Sequence, residues 1–256
     1  CQLCVGQSKT KTQEVITDTP ELIIVDANVA YSHSDKSVTM SVAPKNLQGY
    51  KVYSTIAETV KSPEEVFILD LSSQYLTTVP EEIKTLTNLR SLDLSFNDIR
   101  EIPKWISELE NLIELNLMSN ELSQIEKSIF ELKNLTHLNL SMNQLTELPS
   151  EIGNLNSLIV FECTNNKIKE LPKSIGELKN LYHFEVYSNN LISLPETIGN
   201  CSGLVNLNFS YNKVSEIPSS IGKLKKLTWL YFDKNLISVL PDSLIELTNL
   251  TYFGLS

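Results

Sequence analysis

The sequence predicts an α/β repeat solenoid, and three observations lead to this prediction. A spacing of 23 residues aligns almost the whole chain from Val66 onward without a slip in register. Each unit opens with a short alternation of apolar and polar residues, which is typical of a half-buried strand. A side-chain amide then recurs at the ninth position of every complete unit. We therefore expect one continuous stack over residues 66–256, made of eight complete units and a truncated ninth.

The strand of each unit is defined by its first, fourth and sixth positions, which are apolar throughout. In one unit these residues are Leu112, Leu115 and Leu117, and in the next they are Leu135, Leu138 and Leu140. Side chains two residues apart in a strand point to the same face, so the fourth and sixth positions share the buried face. The pattern therefore predicts a strand with one face buried in the core and the other face exposed to solvent.

The ninth position carries Asn in seven of the eight complete units, and the first unit has Gln74 there. The chain must bend after each strand, which leaves backbone N–H and C=O groups without partners in the sheet. An amide side chain offers both a donor and an acceptor to such groups. The sequence thus predicts a structural ladder of stacked amides, formed by Asn97, Asn120, Asn143, Asn166, Asn189, Asn212 and Asn235.

The second half of each unit returns the chain to the start of the next strand. The fifteenth position is Pro in seven of the eight complete units, with Glu126 as the exception. Pro fixes φ and favours an extended residue before it. Ile or Leu follows three residues later, and a further apolar residue three after that. This spacing predicts a short turn of α-helix or 3-10 helix.

A segment such as NLRSLDLSFNDIREIPKWISELE resembles the leucine-rich-repeat consensus LxxLxLxxNxL with a tail of the type LPxxIGxLxxL. Tails of this type look like those of bacterial repeat proteins, including spirochaete and flavobacterial ones, and of eukaryotic Ras-group repeat proteins. The resemblance implies a horseshoe with a concave parallel β-sheet and short 3-10, helical or extended convex segments. It also implies that ligands meet the concave face, at positions three, five, seven and eight of each unit.

The flanking segments are predicted from the need to cover the ends of the stack. Residues 51–65 are predicted as an N-terminal helical cap, with Val52 or Tyr53, Ile56 and Val60 on one face of a helix that ends before Ser62. Residues 1–50 lack the repeat but contain two strand-like stretches, LIIVDANVAY and SVTMSVAP, and they either pack on the solenoid or form a loose arm. The ninth unit stops before its Asn position, so we expect more repeats or another domain beyond it.

Composition and the first residues suggest where the protein acts. A net charge of -10 argues against nucleic acid or an anionic membrane as partner, and no apolar run of about 20 residues predicts a transmembrane segment. The segment CQLCVGQ suggests lipidation of Cys1 in a mature bacterial lipoprotein, or the end of a signal peptide. Both imply export, to the cell surface, the periplasm or the exterior. A fragment that begins at Cys, with a cytoplasmic location, is the alternative.

Five aromatic residues on the expected concave face are the leading candidates for ligand binding. Aromatic side chains dominate the energetics of many protein interfaces. The alternative is that some of them only fill gaps between strands. We prefer binding, because the apolar core positions are already occupied by other residues. The candidates are Tyr187, Tyr211, Trp229, Tyr231 and Tyr252.

A second candidate region combines Glu162 and Glu185, neighbours at position five, with His183 two residues before Glu185. Two carboxylates and an imidazole this close could bind a metal or share a proton. His137 is two strands from His183, about 10 Å away by strand spacing, which is too far for one ion. Charges on an exposed sheet are more often solvated or directed at a partner, so no metal or cofactor is predicted.

Taken together, these patterns predict a non-catalytic module that binds a protein or peptide on its concave face. Signatures of nucleotide-binding loops, zinc proteases and serine hydrolases are absent from the sequence. Two alternatives stay open. One is a surface-anchored structural or adhesive lipoprotein. The other is the scaffold part of a larger signalling enzyme whose catalytic domain lies beyond residue 256.

Overall fold

The structure is a computed structural model that describes Leu47 and residues 49–254. The described residues all belong to one compact unit, Pro44–Ser256. Cys1, Cys4 and nearly all of the predicted N-terminal segment lie outside them, as do the last two residues. None of the helices in the described part of the chain is long and apolar enough to cross a membrane.

Ten parallel strands form a single open, curved sheet across the described residues, in the order in which they occur along the chain. From the strand Ile68–Asp70 onward, each strand pairs with the next at a shift of 23 residues, so that Leu92 lies beside Leu115 and Leu115 beside Leu138. The predicted repeat sheet is thus confirmed. Its strands are β1 (Val52–Tyr53), β2 (Ile68–Asp70), β3 (Ser91–Asp93), β4 (Glu114–Asn116), β5 (His137–Asn139), β6 (Val160–Glu162), β7 (His183–Glu185), β8 (Asn206–Asn208), β9 (Trp229–Tyr231) and β10 (Tyr252–Phe253).

Short 3-10 helices form the outer side of the solenoid. Where Pro is present at position fifteen it immediately precedes the helix, as Pro103 does, and the N–H of Ile106 donates to its carbonyl at 3.1 Å. In the unit that lacks Pro, the N–H of Ile129 donates to the carbonyl of Glu126 at 3.2 Å in the same way, and the carboxylate of Glu126 also accepts from the N–H of Ser128. The helices span Pro63–Glu65, Glu81–Thr85, Lys104–Glu108, Lys127–Glu131, Ser150–Asn154, Lys173–Glu177, Glu196–Asn200, Ser219–Lys223 and Asp242–Glu246.

Glycine follows the central Ile of four of these helices because the next unit passes very close. A Cβ on Gly222 would lie 2.6 Å from the carbonyl oxygen of Ser243, and one on Gly153 would lie 2.8 Å from that of Ser174. Real Cβ atoms do not approach a backbone oxygen so closely. Glycine at this position therefore lets the convex sides of adjacent units pack together tightly.

The predicted helical cap is wrong in its first half. Val52 and Tyr53 form β1, which pairs in parallel with Ile68 and Leu69 of β2. Only Ile56–Thr59 is α-helical (α1), and Val60, expected on the buried face, is 63% exposed. The reason is that the outer edge of β2 presents unpaired backbone groups, which a strand can satisfy and a helix cannot.

The Asn side chains of position nine form the buried ladder between units. The side-chain amide of Asn143 donates to the carbonyls of Leu117, Leu140 and Ser141 at 2.9, 3.1 and 3.2 Å. Its carbonyl oxygen accepts from the N–H of Leu122 at 3.0 Å. Each ladder Asn therefore forms hydrogen bonds within its own unit and with the preceding unit. In the first unit Gln74 instead donates to the carbonyl of Ser54, next to β1.

The residue before each ladder Asn, and the one before Gln74, adopts a left-handed backbone, with φ between 51° and 57°. This conformation lets the chain leave the strand while still bonding the next unit; the N–H of Phe96, for example, donates to the carbonyl of Met118 at 2.9 Å. The sequence did not reveal it, because glycine is the usual signal for this conformation and none stands here. The residues are Ser73, Phe96, Ser119, Met142, Asn165, Ser188, Tyr211 and Lys234.

A second, exposed set of Asn side chains also joins neighbouring units. The amide of Asn134 donates to the carbonyl of Glu110 at 2.8 Å, and Asn111 bonds Thr87 in the same way. Because these groups lie in water, the loss of one bond leaves no buried polar group without a partner. Substitutions in this exposed set are therefore suitable controls for substitutions in the buried ladder.

We predict that Asn143→Ala lowers the free energy of unfolding by about 1–3 kcal/mol, because it leaves several buried backbone groups without a partner. The matched control, Asn134→Ala, removes one exposed bond and should cost less than about 0.5 kcal/mol. Chemical denaturation of both variants measures the difference. Equal losses would contradict the structural role assigned to the ladder.

Candidate functional site

The face of the sheet opposite the core is formed by positions three and five of each unit. On β2 to β5 these side chains are half-buried, and the leucine between them is buried in the core. On β7 and β8 all four are buried, namely His183, Glu185, Asn206 and Asn208. The polar centre of this face therefore differs from the rest in its low exposure to water.

Glu162, His183 and Glu185 form the central cluster of this face. Glu162 and Glu185 are direct partners across β6 and β7. The Nε2 atom of His183 lies 3.5 Å from Oε1 of Glu185 and 3.9 Å from Oε1 of Glu162. The structure thus brings together the three residues that the sequence proposed as the second candidate region.

Two asparagines, which the sequence analysis did not select, hold the carboxyl groups of the central cluster. Asn139 donates to Oε2 of Glu162 at 2.6 Å, and Asn208 donates to Oε2 of Glu185 at 2.9 Å. All four residues occupy position five on consecutive strands, so the 23-residue alignment contained the signal. In each carboxyl group, Oε2 has an Asn partner and Oε1 points towards His183.

Several buried polar atoms around the central cluster lack a hydrogen-bond partner. They are both ring nitrogens of His183, Nε2 of His137 and the side-chain oxygen of Asn206. The Nδ1 atom of His137 lies 2.8 Å from the hydroxyl of Thr136. A buried donor or acceptor without a partner costs about 1–3 kcal/mol, and such atoms are rare in folded proteins. Their concentration on β5, β7 and β8 marks the centre of the concave face as unusual.

Burial controls the protonation of this region. Desolvation raises the pKa of Glu162 to about 7 and, together with the nearby Glu162 carboxylate, raises the pKa of Glu185 to about 8. Desolvation lowers the pKa of both His137 and His183 to about 4. The distances would suit ion pairs, but burial opposes the charged form of every member. Both imidazoles are therefore neutral at pH 7, and the carboxyl groups retain much of their protonation.

The central cluster offers carboxyl oxygens and imidazole nitrogens as hydrogen-bonding groups. In the part of the chain that the structure describes, no three His, Cys, Asp or Glu side chains are grouped so as to hold a metal ion. Cys163, at position six behind the cluster, is buried, and burial raises the pKa of its thiol. Cys201 is also a buried thiol, as expected for a core position.

The aromatic candidates divide into two groups. Trp229 lies beside Tyr252 in the register of β9 and β10, and the rings of Tyr231 and Tyr252 are 4.4 Å apart between centroids. We call Trp229, Tyr231 and Tyr252 the C-terminal aromatic surface. Tyr187 and Tyr211 instead lie beyond the ends of β7 and β8, and Tyr211 is 47% exposed at a left-handed position.

The C-terminal aromatic surface is outside the core. Tyr252 is 43% exposed, and Trp229 and Tyr231 are half-buried. The core beneath them is formed by Leu227, Leu230 and Phe232, of which none is more than 3% exposed. These three aromatic side chains therefore offer a contiguous apolar area above a core that is complete without them.

Three sequence families match successive parts of the chain. The family described as "Leucine-rich repeat region" matches residues 118–208, and two families described as "Leucine rich repeat" match residues 64–122 and 203–224. The matches cover the described stack from the first unit to the seventh. No curated protein sequence matches the chain.

Many solved structures resemble the chain. A leucine-rich-repeat protein of Leptospira interrogans is 28% identical, with a TM-score of 0.63 over 80% of this chain and 64% of that one. The ectodomain of the Arabidopsis thaliana receptor kinase GASSHO1/SCHENGEN3, in complex with Casparian strip integrity factor 2, is 34% identical, with a TM-score of 0.68 over 75% of this chain and 24% of that one.

A third similar structure is that of the Arabidopsis receptor kinase HAESA, in complex with the peptide hormone IDA and the co-receptor SERK1. It is 27% identical, with a TM-score of 0.68 over 80% of this chain and 36% of that one. The chain spans less than two thirds of the length of each of these three proteins.

The raised pKa values in the central cluster predict a loss of stability as the pH rises from 6.5 to 8. Each carboxyl group has a pKa of 4.5 in the unfolded state and of about 7 or 8 in the folded state, so between these values the folded protein binds more protons. The free energy of unfolding therefore falls as the pH rises through this range. Both histidines are neutral in the folded state over this interval and lose their remaining charge only in the unfolded state. That loss is the same in the wild type and in a variant of the two carboxyl groups, so it cancels when the two proteins are compared.

We expect the free energy of unfolding of the wild type to fall by about 1–2 kcal/mol more than that of Glu162→Gln/Glu185→Gln over this interval. Urea denaturation at several pH values measures it. Parallel pH profiles for the two proteins would show that the carboxyl groups ionise normally in the folded state.

Proposed function

Because the chain belongs to the leucine-rich-repeat family, we propose that it is a non-catalytic module that binds a protein or peptide on the concave face of its sheet. The observation that carries this proposal is the C-terminal aromatic surface, whose three side chains project away from a completed core. Large aromatic side chains that are not needed for packing are the usual anchors of protein interfaces.

The similar structures support the same class of function. Two of them are plant receptors solved in complex with a peptide hormone or with a factor that the receptor binds. Repeated strands give such a sheet a rigid array of side chains at a spacing of about 4.8 Å, which suits an extended ligand that crosses several units. A rigid surface also avoids part of the entropic cost of binding.

Tyr187 and Tyr211 extend the proposed surface along its length. Both lie beyond the ends of strands, and Tyr211 is a left-handed residue whose N–H donates to the carbonyl of Asp233 at 2.8 Å. We assign them to the edge of the ligand site and the C-terminal aromatic surface to its anchor. His183, Glu162 and Glu185 lie on the same face, between two and three strands from β9.

Export is the proposed location, on the evidence of the CQLCVGQ segment and of the ectodomain among the similar structures. A lipid on Cys1 would make the protein a surface lipoprotein, and a cleaved signal would release it. Fractionation of cells that express the full gene, with mass spectrometry of the N-terminus, should find processed protein outside the cytosol. An uncleaved protein found wholly in the cytosol would contradict export.

The proposed anchor is tested with peptides selected from a displayed library of random short sequences on the wild-type protein. Trp229→Ala/Tyr231→Ala should weaken the binding of the selected peptides by about thirtyfold or more, because a central aromatic anchor contributes about 2 kcal/mol. Fluorescence anisotropy measures the affinities, and the melting temperature reports the fold.

The matched control is Tyr75→Ala/Phe96→Ala, which removes two exposed aromatic side chains from the other end of the solenoid. It should leave the affinities unchanged. The proposal fails if no peptide is selected, or if both double variants bind the peptides as the wild type does. A large fall in melting temperature of the first variant alone would show that Trp229 and Tyr231 are packing residues.

A further inference from the structure

The centre of the concave face has a polar arrangement that the C-terminal aromatic surface does not explain. Oε1 of Glu162 and Oε1 of Glu185 both approach Nε2 of His183, within 3.9 and 3.5 Å. Oε2 of each carboxyl group is already fixed by an Asn. Two acceptor atoms on adjacent strands are therefore held side by side and directed at one point.

Nothing in the ladder or the core requires this arrangement. The ladder Asn residues satisfy the backbone, and the leucine and phenylalanine side chains fill the interior. His183 is nonetheless fully buried with neither ring nitrogen hydrogen-bonded, and the side-chain oxygen of Asn206 beside it also lacks a partner. An unpartnered ring nitrogen keeps its capacity to donate or accept a hydrogen bond, and Nε2 of His183 faces the same two Oε1 atoms.

The charges on this face specify the chemistry of such a ligand. At positions three and five of β2 to β9 every formally charged residue is acidic, and the residues are Asp70, Asp93, Glu114, Glu162 and Glu185. No Lys or Arg of these positions neutralises the central cluster. A positive group supplied from outside would find several acceptors and no competing cation.

From this geometry we propose that the central cluster is a subsite for one basic side chain of the bound peptide, a guanidinium or an ammonium group. The proposal rests on the peptide-binding function proposed above and adds the ligand class. A guanidinium group is planar, with five N–H donors in a fixed fork. It can donate to Oε1 of Glu162 and to Oε1 of Glu185, the two acceptors that Nε2 of His183 also faces.

The environment of the carboxyl groups agrees with this role. Burial raises the pKa of both carboxyl groups, so each holds a proton readily when no cation is present. A basic side chain would replace that proton as the positive partner and leave the carboxylates ionised. The ligand would reach the central cluster at Glu162, because the side chain of Glu162 is 16% exposed whereas that of His183 is fully buried.

The subsite is tested with the peptides selected on the wild-type protein as described above. We expect the selected peptides to share an Arg or Lys. Replacement of an Arg by citrulline, which keeps the shape and removes the charge, should weaken binding to the wild type by about tenfold or more. On Glu162→Gln/Glu185→Gln the two forms of the peptide should bind equally.

Two controls make the result specific to the central cluster. Glu114→Gln removes an acidic side chain of the same face two strands away, where it accepts a bond from Ser91, and should keep the preference for Arg over citrulline. Glu162→Gln alone changes the more exposed carboxyl group and serves if the double variant does not fold. Melting temperatures of all variants identify those that are folded.

The outcomes separate this inference from the proposed function. Selection of peptides without any shared basic residue, or equal binding of Arg and citrulline forms to the wild type, overturns the cationic subsite and leaves the binding module standing. Retention of the Arg preference by a folded Glu162→Gln/Glu185→Gln variant also overturns it. Failure to select any peptide overturns both. Binding of Zn²⁺ alone that excludes the peptides would show a metal site instead.

Discussion

Every unit of this solenoid must turn away from the sheet at the end of its strand. The buried amide at position nine stabilises that turn, because it bonds backbone groups that would otherwise be buried without partners. Asn143 satisfies three carbonyls and one N–H, contributed by two units. Because each ladder residue bonds the preceding unit, the turn of one repeat is completed only by the next. The left-handed residue before the Asn and the fixed shift of 23 residues between strands both follow from this bond network.

That strict register separates the structural positions from the variable ones. The core depends on positions one, four and six, which alternate with positions that face away from it. Side chains at positions three and five can therefore change without damage to the core, and along the sheet they do change, from acidic through His and Asn to Trp and Tyr. A solenoid of this kind supports ligand binding because the ladder and the core hold the shape, while the concave face is left to meet a partner.

The two parts of the proposed ligand site, the C-terminal aromatic surface and the central cluster, would bind a ligand through different interactions. The C-terminal aromatic surface offers apolar area over a filled core, which favours binding through the removal of water. The central cluster offers carboxyl oxygens and unpartnered imidazole nitrogens in a region that excludes water, where charge is costly unless a partner of opposite sign arrives. A ligand with an apolar side chain at one end and a basic one at the other would satisfy both.

The sequence alone was enough to predict the repeat, its strands, the Pro before most 3-10 helices and the positions of the Asn ladder, because these depend on local pattern and on contacts repeated in every unit. It also placed Glu162, His183 and Glu185 on neighbouring strands. The pairing of residues 52–53 with β2 could be found only in the folded chain, since the edge they cover exists only once β2 has formed. The burial of His183, and with it the protonation of the central cluster, was likewise decided by packing across several strands, a sum over neighbours that no single repeat contains.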